Sequence, residues 1–503
     1  MSHHHTSTQL LIVLMLYLVK CVFFIRFLLF FISFIGIIIS QEAEVMNNLG
    51  IVRLERIKFQ NIKNVKNGEI YFPEQKKLER GEFDVDEFGS VLGIYGQNGS
   101  GKTTTVDALR ILQNSLCGTP LFSFNPNYVT VGETSSTIEA DFLIDTKDNL
   151  FFVNYLLELG SNDRISTFVK REKISFYSRK EPRKNNYYLY SDPGSINNVF
   201  AASLNDKEKA IYTFTVGIET KSNINTQAPL SSVFNRKTID IISKAKGVND
   251  DFKIICMSLS AFAAYKFAIY SLSYFNDNQN VGIRFRLRQS TSEITNISDI
   301  FVPFSPTLLT IDQFNSFKKI VNQINKVIPS LIPSYKLDFH ILNSEIEQEY
   351  SKSIQFVLVS KRGDETPIPL SLESNGIKKI LSILSGFIDA FNHEGCLIVI
   401  DELDSGIFEY LLGEMVYAFA NFAKGQLIFN SHNMRILEKV DYKNFFFTTT
   451  DRNDAFVQIN KVRESNNLRD MYYKYLINFE ESDKKLYDAV RTEEMINALY
   501  IED

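Results

Sequence analysis

The chain has 503 residues, 45% of them hydrophobic and 22% charged. That is long enough for two or three domains with a sizeable core and too apolar for a disordered chain. Its formal net charge of −5 excludes a global basic field, so binding to nucleic acid or anionic lipid must use local patches. The four cysteines, Cys21, Cys117, Cys256 and Cys396, stand far apart, and three of the six histidines fall in the opening MSHHHTS. No CxxC pair or zinc framework results, which fits a reducing compartment and a cytoplasmic protein.

The first element is LLIVLMLYLVKCVFFIRFLLFFISFIGIII, Leu10 to Ile39, interrupted only by Lys20 and Arg26. By length and hydropathy it can span a bilayer. A cleaved secretory signal fits badly, because the apolar run is too long and no small-x-small site follows. Two readings stay open: a single-pass membrane anchor, or AT-rich upstream DNA read in frame ahead of a start at Met46.

From Ile51, IVRLERIKF and GEIYF alternate apolar and polar residues as strands do. SVLGIY, Ser90 to Tyr95, reads as a buried strand, and Lys102 to Leu116 as a helix with Val106, Leu109, Leu112 and Leu116 on one face. Strand-length runs from Ser136 to Tyr190 predict an antiparallel meander. Residues 201–335 are mainly helical in pattern; Ser260 to Phe275 reads as a buried helix, and Phe314 to Ile328 as a helix ending at Pro329. KLDFHIL and SIQFVLVS return to strand. A helix (Ile377 to Phe391), a very apolar strand (Cys396 to Ile400), a helix (Phe408 to Ala423), a strand (Gln426 to Asn430) and a helix after His432 follow. This alternation predicts a parallel, helix-covered sheet, hence an α/β fold. The domain expectation is a hydrophobic segment over 1–45, the two halves of one α/β head at 46–200 and 336–465, a helical insertion at 201–335 and a helical tail at 466–503.

Four stretches carry chemistry. GQNGSGKTTT fits G-x-x-x-x-G-K-[ST] at Gly96, Gly101, Lys102 and Thr103, between an apolar strand and an apolar-faced helix. Its glycines let the backbone N–H groups curl toward phosphate oxygens. Lys102 would reach the β- and γ-phosphates of ATP, and the Thr103 hydroxyl would ligand Mg2+. CLIVIDELD delivers Asp401 and Glu402 to a strand's C-terminal end; Asp401 would hold Mg2+, and Glu402 would orient or deprotonate the attacking water. LESNG offers Ser374 and Gly376 at a helix N-terminus, an anion site or simply an N-cap. LIFNSHN places His432 just past a strand, where it can hydrogen-bond a γ-phosphate.

The order phosphate loop, S-x-G, apolar strand with Asp-Glu, strand with His resembles the ATP-binding-cassette ATPases. The variant is similar to the RecF/SMC/OLD branch: a P-loop NTPase with an antiparallel β subdomain and a mainly helical insertion. ESNGIKKIL and IDELDSGIFEYLLGE resemble stand-alone ATPases of bacterial phage defence, the ATPase subunit of the PARIS system among them. The resemblance covers about residues 51–115 and 365–440. It implies an ATP sandwich in a homodimer or higher oligomer. Gly96, Gln97, Asn98, Gly99, Ser100, Gly101, Lys102, Thr103 and Thr104, with Asp401, Glu402 and His432, would hold ATP in one subunit. Ser374 and Gly376 of a second copy would close over the γ-phosphate, with Asp404 at the seam. It also implies a separate nuclease or other effector. A glutamine-bearing loop is expected in the meander, yet no glutamine lies between Gln113 and Gln227. A transporter's cassette subunit is the rival that residues 10–39 suggest.

Two stretches suit DNA or an acidic partner. Lys170 to Tyr190 carries seven Lys/Arg against two Glu, interleaved with Phe and Tyr; a solvated hairpin is the alternative. In IRFRLRQ, Arg284, Arg286 and Arg288 would share one face of a strand; a half-exposed strand with no partner role is the alternative.

Overall fold

A computed structural model describes residues 49–73, 89–121, 128–162, 166–181, 185–190, 203–219, 230–271, 281–290, 295–348, 351–459 and 468–477, with 495 and 499 singly. Nearly all belong to one compact unit, Gly50–Gln289 with Asn296–Asp503. The apolar stretch 10–39 lies outside the described residues. Among the described residues no helix is long and apolar enough to cross a membrane.

The chain order begins β1 (Ile51–Ile62), β2 (Val65–Tyr71), β3 (Ser90–Tyr95), α1 (Lys102–Cys117), β4 (Ser135–Asp145), β5 (Leu150–Asn162), β6 (Ser166–Ser178) and β7 (Asn185–Tyr190). It continues with α2 (Asp206–Glu219), α3 (Arg236–Lys244), α4 (Asp250–Ala261), β8 (Phe267–Tyr270), β9 (Gly282–Ser290), β10 (Thr295–Pro303), β11 (Thr307–Thr310) and α5 (Ile311–Leu331). Then come β12 (Tyr335–Gln348), β13 (Ser351–Arg362), β14 (Ile368–Pro369), α6 (Asn375–Asn392), β15 (Leu397–Ile400), α7 (Glu409–Phe422), β16 (Gln426–Asn430), α8 (Arg435–Lys439), β17 (Phe445–Thr448), β18 (Phe456–Val457) and α9 (Leu468–Ile477).

The central sheet has the order β18-β17-β3-β16-β15-β8. All its neighbours pair in parallel except the edge strand β18. Strands β3, β15, β16 and β17 are buried at every position, as a parallel sheet covered on both faces requires. Alternate residues feed two cores. Leu397 and Val399 point into one, shared with α1, α3, α4 and the second sheet. Ile398 and Ile400 point into the other, shared with α5, α6, α7 and the β12–β13 hairpin. The second sheet, β2-β1-β4-β5-β6-β7, is antiparallel throughout. Gln426, at the start of β16, joins the two sheets: its side chain accepts the Leu54 N–H at 3.0 Å and donates to the Leu54 carbonyl at 2.7 Å.

The α/β fold and the antiparallel meander stand as expected. One helix does not. Ser260 to Phe275 leaves α4 at Ala261, passes through a π turn at Phe262–Lys266 and becomes β8. A run apolar on every side suits a buried strand as well as a buried helix, and periodicity cannot separate them. Here a free edge of β15 decides, pairing Phe267 to Tyr270 with Leu397 to Ile400. The next helix, α5, does not stop at Pro329 but includes it; so near the helix end, proline forfeits one backbone bond at most. Helix predominates over strand among the described residues of 201–335.

Arg286 and Arg288 of one basic stretch and Lys170 and Arg171 of the other are paired within the chain, while Arg179 and Lys180 are exposed. In β9, Ile283, Phe285 and Leu287 are buried on one face. On the other, Arg286 Nε donates to Asp389 Oδ2 at 3.0 Å and Arg288 Nε to Asp389 Oδ1 at 2.6 Å, leaving Arg284 exposed. In β6, Lys170 and Arg171 pair with Glu158. Glu172 is fully buried and accepts bonds from the Tyr155 and Ser231 hydroxyls and the Ser232 N–H. The side chains of 182–190 lie outside the described residues.

Burial pushes the Asp389 pKa up, but hydrogen bonds from His393 and Arg288 and the charges of Arg286 and Arg288 outweigh it and hold the carboxyl well below its usual range. A depressed carboxylate contributes stability above its unfolded pKa of about 3.9 and loses it as pH falls toward the folded value. Asp389→Asn leaves two arginines facing a neutral partner in the interior. It is expected to lower unfolding free energy by about 3–5 kcal/mol in urea melts at pH 7, and by less at pH 3. Arg284→Ala should stay within about 0.5 kcal/mol of the parent.

Candidate functional site

Because β3, β16, β15 and β8 run parallel, their C-terminal ends share one edge, where ligands bind in such sheets. The loop Gly96–Gly101 leaves β3, the acids Asp401 and Glu402 leave β15, and Ser431 and His432 leave β16.

The loop's shape depends on glycine. Gly96, Gly99 and Gly101 have φ of 151°, 78° and 107°, values that side chains rarely adopt. A Cβ at Gly96 would lie 1.5 Å from Thr448 Oγ1. Thr448 donates to Ser100 Oγ at 2.6 Å, and Ser100 donates to the Gln97 carbonyl at 2.6 Å. On the other side, Asn64 Nδ2 donates to the Gly99 carbonyl at 2.6 Å and Asn64 Oδ1 accepts the Thr104 hydroxyl at 2.8 Å. Asn98 and Thr103 are exposed at the mouth. Lys102 is buried, its ammonium on the Gly96 and Gln97 carbonyls at 2.7 and 2.8 Å. Burial pushes its pKa down to about 8, against the pull of Glu402, Asp404 and Asp401. Beside the loop, Asn64, Gln97, Ser100, Thr449, Asp451 and Arg452 help to line a cavity of about 170 Å³.

The acid pair is held by Asn430. Its Nδ2 donates to Asp401 Oδ1, and its Oδ1 accepts the Glu402 N–H. Asp401 is buried and donates its own N–H to the Tyr270 carbonyl at 2.8 Å. Glu402 sits at φ 48°, in the left-handed region, a conformation that costs a non-glycine residue on the order of 1–3 kcal/mol. Asp404 Oδ2 accepts the His432 N–H at 3.0 Å, and Asp404 Oδ1 is buried without a hydrogen-bond partner. The His432 ring is exposed at the edge. Partial desolvation and the nearby Lys102 charge lower its pKa, opposed by Asp404 and Glu402.

Ser374 caps α6, accepting the Ile377 N–H at 3.3 Å, and is exposed. The preceding Glu373 is buried and bound by Ser360 at 2.5 Å and Arg362 at 2.9 Å. Gly376 packs on Gly406: a Cβ there would lie 2.1 Å from the Gly406 carbonyl oxygen. The structure thus gathers the phosphate loop, Asp401, Glu402 and His432 at one edge. Ser374 and Gly376 stand at the head of α6, against the segment that follows the acids.

The described meander carries no glutamine between Gln113 and Gln227, as the sequence already shows. The meander contributes no strand to the central sheet; β8 stands beside the acid strand. Residues 272–280, which follow it and include Gln279, lie outside the described residues. Sequence reading also passed over Asn430, Asn64, Thr448 and Lys379. An asparagine closing the apolar run Leu427–Phe429 of a buried strand was the available signal for Asn430.

Among the described residues no cluster of three or more His, Cys, Asp or Glu could hold a metal. The donor set present, one exposed threonine hydroxyl and one buried carboxylate, fits a hard cation that keeps its waters and nucleotide phosphates as further ligands.

The chain belongs to the AAA_15 family (AAA ATPase domain), whose description matches residues 53–437. Among solved structures it is similar to the SMC head domain from Thermotoga maritima, at 14% identity and TM-score 0.35, over 81% of this chain and 100% of that one. A RecF structure, of the recombination mediator protein in the RecFOR pathway, matches at 14% identity and TM-score 0.34, over 81% and 99%. The Smc head domain derived from Pyrococcus yayanosii matches at 9% identity and TM-score 0.40, over 84% and 99%. No curated protein matches the chain.

Asn430→Ala leaves a buried carboxylate oxygen and the Glu402 N–H without their partner. The expected loss is about 1–3 kcal/mol for each group, read as a lower denaturant midpoint with an unchanged slope.

Proposed function

We propose that the protein binds and hydrolyses ATP as an ABC-type ATPase head that dimerises on ATP. The observation that carries the reading is the convergence of the glycine-built loop, the Asn430-clamped acid pair and His432 on one sheet edge. The loop's N–H groups and Lys102 would receive the phosphates, with Lys102 leaving the Gly96 and Gln97 carbonyls it now satisfies. Thr103 and Asp401 would hold Mg2+, which supplies charge neutralisation at the β- and γ-phosphates. Glu402 would orient and deprotonate the attacking water, and His432 would contact the γ-phosphate.

What the head of α6 exposes supports the dimer reading. Ser374 presents a hydroxyl and a helix N-terminus to solvent. Leu372, Phe408 and Tyr410 are 71%, 74% and 54% exposed. Exposed apolar residues beside an anion-binding helix end suit a second copy of the chain closing over the γ-phosphate. The cellular role we propose is anti-phage defence or DNA surveillance with a separately encoded effector, a step that rests on the family resemblance. Arg286 and Arg288 are committed to Asp389 and are not offered to a partner. A slow-turnover scaffold holding that effector is the second reading; fast, DNA-stimulated hydrolysis would count against it.

Lys102→Ala should abolish ATP binding in equilibrium dialysis. Glu402→Gln should bind ATP, lose about 10²–10⁴-fold in turnover and accumulate as an ATP-bound dimer in light scattering. Turnover at the parent's rate would remove Glu402 from its role. Leu372→Asp should leave monomer ATP binding intact and prevent that dimer.

A further inference from the structure

Lys379 lies in the second turn of α6, 3% exposed, with its ammonium on the main-chain carbonyl of Glu402. Burial pushes its pKa down to about 8, and the carboxylates of Asp404, Glu402 and Asp401 oppose that shift only in part. The Glu402 peptide unit is therefore gripped at both ends. Asn430, on the rigid sheet, takes its N–H, and Lys379, on the helix, takes its carbonyl. Between the two grips Glu402 keeps its left-handed φ of 48°. A few residues back along the same helix, Gly376 meets the backbone of Gly406. The head of α6 is thus tied twice to the segment 402–406, once through Lys379 and once through backbone contact.

We propose that Lys379 is a positioning residue that couples the exposed head of α6 to the backbone setting of Glu402. This rests on the ATPase reading above. In a nucleotide sandwich the head of α6 serves the partner's phosphate while Glu402 serves its own subunit's. Seating a phosphate on Ser374 shifts α6, and Lys379 transmits the shift to the Glu402 carbonyl. A displacement near 1 Å of a catalytic group changes rate by about 10²-fold, so a small movement of the helix suffices.

The test compares Lys379→Met and Lys379→Arg with the parent in the full chain. ATP binding and turnover by the parent settle the ATPase reading by themselves. Lys379→Met is expected to bind a non-hydrolysable ATP analogue within about threefold of the parent and to lose at least about tenfold in kcat. Lys379→Arg, which keeps a charged donor, should recover much of that loss. The dependence of rate on ATP concentration, sigmoidal in the parent dimer, should become hyperbolic in Lys379→Met. Parent-like kcat in Lys379→Met would overturn the proposal. So would an equal loss of analogue binding and kcat with a lowered melting temperature, or an arginine variant no better than methionine; these mark Lys379 as a packing residue only.

Discussion

A parallel sheet buried on both faces tolerates polar side chains only where its strands end. That constraint shapes the whole site. β15 is four residues of Leu, Ile and Val with no exposed position, and the first residue able to carry charge is Asp401. The same holds for β3, whose six buried residues stop just before Gly96, and for β16, which ends at Asn430. Running these strands in parallel turns three separate ends into one polar edge. Each fully buried Leu, Ile or Phe contributes about 1.5–3 kcal/mol. The two cores that grip the sheet therefore fix the edge far more firmly than the polar contacts along it do.

The edge is costly in itself. Two lysines, Lys102 and Lys379, are buried at 7% and 3% exposure, and burial pushes each pKa to about 8. Their compensation is shared: the carboxylates of Asp401, Glu402 and Asp404 act on both. Removing any one of these charges unbalances the others, which is why effects here should be far from additive. The strained φ of Glu402 belongs to the same account, since strain at such a position persists only where the surroundings over-determine it.

The sequence made the sheet legible because buried parallel strands are continuous apolar runs and the glycine pattern of Gly96 to Gly101 has one obvious use. The misreadings share a cause. Ser260 to Phe275 is apolar on every side, so its own pattern cannot say that Phe267 to Tyr270 form β8. The arginines of β9 alternate as a surface would, but Asp389, a hundred residues on, turns two of them inward. Neither partner is local, and no spacing rule reports it. Asn430 and Lys379 escaped notice for the same reason. Their importance lies in a backbone N–H and a backbone carbonyl of Glu402, groups that every residue possesses.

The two grips on Glu402 differ in what they stand on. Asn430 ends a strand whose neighbours on both sides are fully buried, so it cannot move without the sheet. Lys379 stands on a helix whose cap, Ser374, and first residue, Asn375, are exposed, and whose other contact to the acid segment is made through two glycines, Gly376 and Gly406. Glycine contacts carry no side-chain interlock, so the helix head can slide on that segment at lower cost than it could across packed side chains. Under the proposed coupling, of the two constraints that keep Glu402 in its left-handed setting, the one on α6 is the one that yields.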